Sequence, residues 1–198
     1  MEFTIRKPSL KVFVVALLCA TFVSGVLLFS LIKMANTTPT VGGSFELKYR
    51  GAEWRFLDHN KRLNLLYIGY AKCPDVCPMS LSVVAQAFLK FSENELKQIQ
   101  LLFLSVDYQN DKPDDVADYA AQFFKDFVGL TGTKEQIDFV VNLFGASYLM
   151  EKNPKSYIGY SIAHTDKIFF LNEKGEVIKS IANPRSDEQI YQSVKQLL

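Results

Sequence analysis

One stretch, from Leu63 to Ser80, constrains the fold more than any other part of this sequence. It begins with a nearly continuous apolar run, Leu65 to Ile68, which is typical of a strand buried on both faces. Two cysteines, Cys73 and Cys77, follow this run, and apolar residues at helical spacing begin at Leu81. The sequence therefore predicts two thiols at the point where a buried strand gives way to a helix.

This position favours chemistry at sulfur. The free N–H groups and the dipole of a helix N-terminus stabilise a thiolate, which is the form that binds metals or attacks disulfides. Of the three cysteines, Cys19 falls in an apolar run near the N-terminus, which leaves Cys73 and Cys77 as one pair in the rest of the chain. A disulfide between two residues so close in sequence stabilises a fold very little, because the loop it closes is small. A redox or metal-binding role is therefore the better interpretation.

The apolar run near the N-terminus spans residues 12–32 and contains no charged residue. A run of about twenty apolar residues is enough to cross a bilayer as a helix. Arg6, Lys7 and Lys11 precede it, so the positive-inside rule places the short tail in the cytoplasm and the rest of the chain across the membrane. A cleaved signal peptide is the alternative, but its apolar core is usually shorter, and no small-x-small cleavage site follows Ile32.

These features predict four segments: a tail (1–11), a transmembrane anchor (12–32), a linker (33–40) and one folded domain (41–198). The net charge of +1 argues against a nucleic-acid partner, because neutralising phosphates requires a basic surface. The tail lacks the amphipathic, Arg-rich character of a transit peptide. We therefore expect a bacterial inner-membrane protein with its domain in the periplasm, and keep as the alternative a mitochondrial inner-membrane protein facing the intermembrane space.

Beyond the cysteines, the pattern alternates between strands and helices. The predicted elements are a hairpin (45–56), a second buried strand (101–106), helices that begin near Pro113 and Thr133, a short strand (146–150), a polar loop (151–161), a hairpin (167–179) and a helix capped by Ser186. This order predicts an α/β domain with a mixed sheet covered on both faces. A thiol pair between the first buried strand and its helix indicates, by analogy, a thioredoxin-like fold.

The domain offers few further soft ligands. His164 is expected on a loop just before the strand at 167–171. A lone histidine there is usually structural, but a thiol pair that lacks a third ligand makes a binding role more plausible. His59 lies in the polar group 58–61 and is interpreted as part of a solvated turn.

The number of ligands separates the candidate metals. A structural zinc site almost always has four ligands, whereas this domain supplies Cys73, Cys77 and His164. Two thiolates and one imidazole suit copper(I), a soft ion of low coordination number, better than zinc. Asp107 and Asp111 also follow a strand and could reach the same edge of the sheet, but turn formation and the start of the next helix explain them better.

The sequence also resembles the Sco/SenC family over about residues 41–181. The resemblance is carried by Gly69-Tyr70, the CPDVCP motif at 73–78, Ser-Val-Asp at 105–107, Asp-Lys-Pro at 111–113, Gly-Leu-Thr-Gly-Thr at 129–133, and His164 with Thr165. It implies a membrane-anchored, thioredoxin-like protein that binds copper, as Cu(I) or Cu(II), through Cys73, Cys77 and His164. It further implies a copper metallochaperone that matures the dinuclear copper centre of cytochrome c oxidase subunit II, by delivering copper, by reducing that subunit's cysteines, or both. Another copper-receiving protein is the alternative partner.

Two positions depart from the family pattern. The family commonly has an aspartate immediately before the histidine and a proline after the Ser-Val-Asp, where this chain has Ala163 and Tyr108. Outer-shell partners orient a metal-bound histidine. Ala163 in place of the aspartate therefore affects how the imidazole of His164 is oriented, but His164 can still bind a metal.

Two other functions stay open at the level of sequence. In the first, the chain is a thiol-disulfide oxidoreductase that acts on extracytoplasmic partner proteins without a copper role, with Cys73 and Cys77 as its catalytic pair and a separate thiol-disulfide reductant partner. In the second, it is a membrane-tethered interaction domain with an idle thiol pair. Dependence of the activity on His164 separates the copper hypothesis from the oxidoreductase.

Overall fold

The structure, a computed structural model, describes residues 10–35 and 40–198. The first of two compact units contains helix α1 (Leu10–Ala35). Within α1, the segment Lys11–Leu31 is long and apolar enough to cross a membrane, and it contains nearly all of the predicted span. Residues 1–9 of the predicted tail and 36–39 of the predicted linker lie outside the described residues.

The second unit, residues 40–198, is an α/β domain. Its elements in chain order are β1 (Glu46–Tyr49), β2 (Ala52–Arg55), α2 (Phe56–His59), β3 (Leu63–Gly69), α3 (Val76–Phe88), α4 (Glu93–Leu96), β4 (Ile99–Ser105), α5 (Pro113–Phe123), β5 (Val128–Leu130), α6 (Lys134–Leu143), β6 (Tyr148–Lys152), β7 (Tyr160–His164), β8 (Lys167–Leu171), β9 (Val177–Ala182) and α7 (Asp187–Leu197).

The centre of the domain is a five-stranded sheet in the order β5-β4-β3-β8-β9. Strand β3 pairs in parallel with β4, and β4 with β5, whereas β8 runs antiparallel to both β3 and β9. Every residue of β3 and β4 is buried, which explains the apolar runs at 65–68 and 101–104 within them. The predicted mixed sheet is confirmed.

Aromatic side chains cover both faces of this sheet. On one face, Tyr67 stacks on Phe103 with ring centroids 6.4 Å apart, and Tyr119 of α5 packs against Phe103 at 5.3 Å. On the other face, Phe169 contacts Phe144, the residue after α6, at 5.8 Å. Side chains of successive strand residues point to opposite faces, so one sheet supports two separate packing layers.

The predicted polar loop at 151–161 is correct for residues 153–159 and wrong at its two ends, which belong to strands. Strands β6 and β7 form an antiparallel ribbon that is separate from the central sheet, and only residues 153–159 connect them. Most side chains of the ribbon are partly or fully exposed, with Ile162 the buried exception in β7. Strand β6 overlaps the short strand predicted at 146–150, whereas β7 lacks the apolar pattern from which a strand is predicted. His164 is consequently the last residue of a strand and does not lie on a loop.

Candidate metal centre

The two cysteines lie where β3 connects to α3. Strand β3 ends at Gly69, Cys73 follows in the connecting segment, and Cys77 is the second residue of α3. Both are buried free thiols. The predicted strand-to-helix position of the pair is therefore present in the structure, although α3 begins five residues before Leu81 and includes Cys77 in its first turn.

Gly69 makes room for the sulfur of Cys77. A Cβ atom added at Gly69 would lie 2.6 Å from Cys77 Sγ and 3.2 Å from Phe103 Cε2. The first distance is far inside van der Waals contact, so no residue with a side chain fits without displacing the sulfur. The glycine lets Cys77 Sγ lie directly against the end of β3.

His164 reaches the same place from β7. Its Nε2 atom lies 3.3 Å from Cys77 Sγ, and its Nδ1 atom lies 3.4 Å from the carbonyl oxygen of Thr165. A carbonyl oxygen only accepts, so this contact favours a proton on Nδ1 and leaves the lone pair of Nε2 directed toward the sulfur. The rings of Tyr67 and Tyr70 meet the imidazole at nearly right angles, with centroids 6.2 and 6.0 Å away.

Together, these residues form a compact donor set. The sulfurs of Cys73 and Cys77 and a ring nitrogen of His164 all lie within 4.8 Å of one another. Two thiolates and an imidazole select soft ions such as copper(I) or zinc, in contrast to the oxygen donors preferred by Mg²⁺ or Ca²⁺. The residues present fit a soft metal ion bound by three ligands.

Hydrogen bonding and burial shift the pKa values of the two thiols in opposite directions. The Cys77 thiol, the His164 ring and the backbone of Asp75 and Cys77 lower the pKa of Cys73, while burial opposes them. Burial and the neighbouring Cys73 raise the pKa of Cys77. Cys73 is therefore the thiolate of the metal-free pair, and Cys77 is the protonated partner. Burial and the charge of Cys73 also raise the pKa of Tyr70 to about 12.

The other candidate ligands lie elsewhere. His59 ends the short helix α2 and stacks on Trp54, with ring centroids 5.5 Å apart. Asp111 accepts hydrogen bonds from Ser105 Oγ at 2.6 Å and from the backbone N–H of Ala71 at 2.8 Å. Both residues have structural partners, but His59 ends a helix instead of lying in the predicted turn.

Asp107 also has a structural role. It is fully buried and accepts a hydrogen bond from the backbone N–H of Asn110 at 3.2 Å. Among the residues that the structure describes, the group close enough to share an ion contains neither Asp107 nor Asp111.

Tyrosines that the sequence analysis missed hold the ribbon carrying His164. Tyr160 on β7 donates a hydrogen bond to the buried carboxylate of Asp107. Tyr157, between β6 and β7, donates to the carbonyl oxygen of Lys72, next to Cys73, at 3.0 Å. These bonds tie the histidine ribbon to the β4–α5 loop and to the cysteine segment. No sequence pattern indicates them, because each joins residues that are far apart in the chain.

Comparison with known proteins matches the part of the chain that contains the α/β domain. The family model described as SCO1/SenC matches residues 33–198. A protein of Rickettsia felis named SCO2-like protein is 28% identical over 156 residues, which are 78% of this chain and 76% of the relative. The human protein named Protein SCO1 homolog, mitochondrial, is 30% identical over 159 residues, 79% of this chain. This chain spans about half, 52%, of that human relative.

Solved structures agree with the fold. The Arabidopsis thaliana ScoI, whose crystal structure has copper bound, superposes with a TM-score of 0.73 at 25% identity, covering 79% of this chain and 97% of the other. The solution structure of apo Sco1 from Thermus thermophilus gives a TM-score of 0.72 at 25% identity, covering 80% and 92%. The predicted thioredoxin-like arrangement is confirmed by these neighbours.

Proposed function

This chain belongs to the SCO1/SenC family, and from that membership and the geometry of the donor set we propose that it binds copper through Cys73, Cys77 and His164. The convergence of two sulfurs and an imidazole nitrogen within 4.8 Å is the observation that carries the proposal. A relative of the same fold holds copper in its crystal structure. The soft donor set and the three-ligand count favour the Cu(I) state.

The physiological role that we propose is delivery of copper to the dinuclear copper site of cytochrome c oxidase subunit II. Transfer of Cu(I) between two sets of thiolates is ligand exchange, in which donor bonds are replaced one by one and no electron moves. Cys73 lies nearer the surface than Cys77, which is 0% exposed. An incoming thiolate of the recipient would therefore replace Cys73 first.

Copper loading depends on the oxidation state of the pair. Both sulfurs must be reduced, because a disulfide between Cys73 and Cys77 would consume the two thiolates that act as ligands. The buried, protonated Cys77 must also lose its proton when the ion binds, since metals bind the thiolate. Copper binding should therefore release protons and fail in the oxidised chain.

The experiment that tests copper binding is metal analysis of the reduced, detergent-solubilised chain after loading with Cu(I). We expect about one copper per chain, and a loss of high-affinity binding in Cys73→Ser, Cys77→Ser and His164→Ala. His59→Ala is the matched control, because His59 is the other histidine of the chain and stacks on Trp54 away from the donor set. Unchanged copper binding in His164→Ala or Cys73→Ser would refute the site.

Thiol-disulfide exchange is a second candidate, favoured by the unequal properties of the two thiols. In this reaction, the Cys73 thiolate attacks a partner's disulfide and forms a mixed disulfide, with one partner sulfur leaving as a thiolate. Cys77 then attacks Cys73, which releases the second partner thiol and leaves the Cys73–Cys77 disulfide. A dithiol reductant must restore the pair. Reductase turnover that survives His164→Ala, in a chain that binds no copper, would favour this candidate.

A further inference from the structure

Asp166 lies between the strand that carries His164 and the central sheet. It follows β7 by two residues and immediately precedes β8. Its side chain is only 13% exposed and has partners on three other parts of the fold. Oδ1 accepts hydrogen bonds from Tyr67 at 3.0 Å and from Ser80 at 3.1 Å, and Oδ2 pairs with Arg185 at 2.7 Å.

Two of these partners lie beside the donor set. Ser80 follows Cys77 by three residues on α3, which places the two on the same side of the helix. The ring of Tyr67 meets the His164 imidazole at 90°. Tyr67 also packs against the end of β3 next to the Cys77 sulfur, since a Cβ at Gly69 would lie 3.4 Å from Tyr67 Cε1 and 2.6 Å from Cys77 Sγ.

Arg185 closes the network. One guanidinium nitrogen pairs with Asp166, and the other donates to Ser80 Oγ at 3.1 Å. The same nitrogen also donates to the carbonyl oxygen of Pro184 at 2.8 Å. A mostly buried carboxylate requires such compensation, and removing one partner of a buried pair leaves an uncompensated charge. The geometry of the four side chains is therefore mutually constrained.

We propose that Asp166 is a positioning residue for the copper ligands, and that it sets the separation of Cys77 and His164 by holding Ser80 and Tyr67. It would do so in place of an acidic residue directly before the histidine. Ala163 occupies that position and is exposed on β7, where successive side chains point to opposite sides. This inference rests on the copper-binding function proposed above.

The test compares Asp166→Ala and Asp166→Asn with the unaltered full chain in detergent, in the reduced state. Cu(I) affinity is measured by competition with a chromophoric chelator, and the ¹⁵N shifts of the His164 imidazole are measured without metal. Glu95→Gln is the matched control, because the Glu95 carboxylate likewise has a basic partner, Lys195, and a serine partner, Ser92.

We expect Asp166→Ala to weaken Cu(I) binding by up to about 10-fold, the lower end of the effect of losing a partner bonded directly to a ligand, because Asp166 acts through Ser80 and Tyr67. The imidazole signals should also shift. Asp166→Asn should show the same changes to a smaller degree, and Glu95→Gln should show neither. Wild-type copper affinity and unshifted imidazole signals in Asp166→Ala would overturn the proposal, even if the variant were less stable. If the unaltered chain bound no copper, the proposed function would fail, and the metal-free imidazole shifts alone would decide the role of Asp166.

Discussion

The Sγ atom of Cys77 and the Nε2 atom of His164 lie 3.3 Å apart, although 87 residues separate them in the chain. Cys77 reaches this point because Gly69 leaves space at the end of β3. His164 reaches it because the β6–β7 ribbon ends there. The contact therefore depends on the glycine at position 69, which has no side chain, and on the position of the β6–β7 ribbon. Both dependences can be tested.

Replacement of Gly69 by alanine should displace the Cys77 sulfur. The new Cβ would lie 2.6 Å from Sγ, and overpacking of this kind costs about 1–3 kcal/mol of unfolding free energy. We expect a lower midpoint in urea and weaker Cu(I) binding. Gly129→Ala is the control, because its Cβ would meet the backbone oxygen of Val116 at 2.1 Å, and its three nearest atoms belong to Val116 and Ala117 and include no sulfur. That variant should lose stability while its folded fraction retains copper affinity, and an equal loss of affinity in both variants would contradict the steric argument.

The two thiols should differ in reactivity at mildly acidic pH. The pKa of Cys73 is lowered by its hydrogen bonds and that of Cys77 is raised by burial, whereas an ordinary thiol, with a pKa of about 8.5, is almost fully protonated at pH 6. Iodoacetamide should therefore modify Cys73 at pH 6 in the metal-free, reduced chain and leave Cys77 unmodified.

The pH dependence has a defined sign. As pH falls through the lowered pKa of Cys73, its thiolate is protonated and the modification rate should decrease. Cys77 should become reactive only in strongly alkaline solution. Peptide mass spectrometry in a Cys19→Ser background measures both rates. Equal rates for the two cysteines at pH 6 would show that their environments do not differ as described.

Loss of the Tyr160 hydroxyl should loosen the ribbon that carries His164. Tyr160 donates to Asp107, whose side chain is fully buried, and leaving a buried acceptor short of a partner costs about 1–3 kcal/mol. Tyr160→Phe should lower the unfolding free energy in urea by that amount. Tyr148→Phe removes a comparable bond, at 2.7 Å to Asp138, from a less buried position and should cost less. If Tyr148→Phe lowered the unfolding free energy more than Tyr160→Phe, the bond to the buried Asp107 would not be the stronger of the two, and the argument from burial would be wrong.

The N-terminal helix should hold the chain in a membrane with the domain on the far side from the tail. Helix α1 contains an apolar segment long enough to span a bilayer, Lys11–Leu31, and Arg6, Lys7 and Lys11 favour a cytoplasmic N-terminus. Alkaline phosphatase fused after Leu198 should be active in a bacterial host, because this enzyme requires the periplasm. Deletion of residues 12–32 should abolish that activity. An active β-galactosidase fusion at the same position would instead place the domain in the cytoplasm.

Sequence alone determined the features that depend on neighbouring residues. Continuous apolar runs identified β3 and β4, because both strands are buried on both faces. The helix predicted to begin near Thr133 is α6, and the structure shows both hydrogen bonds of a capping box between Thr133 and Gln136 at its start. The pair Cys73 and Cys77 indicated metal or redox chemistry, because the two residues are close in sequence and their proximity needs no tertiary structure to be recognised.

Tertiary structure decided the relationships between residues that are distant in sequence. Most side chains of β7 are half-buried and show no apolar pattern of a strand, so only the pairing of β7 with β6 shows that His164 ends a strand. The carboxylate of Asp166 meets Tyr67, Ser80 and Arg185 because β3, α3 and the segment before α7 are brought together around it. Composition and periodicity describe how a segment buries its own side chains. The distance between a sulfur and a ring nitrogen 87 residues apart depends on the order and packing of the strands between them.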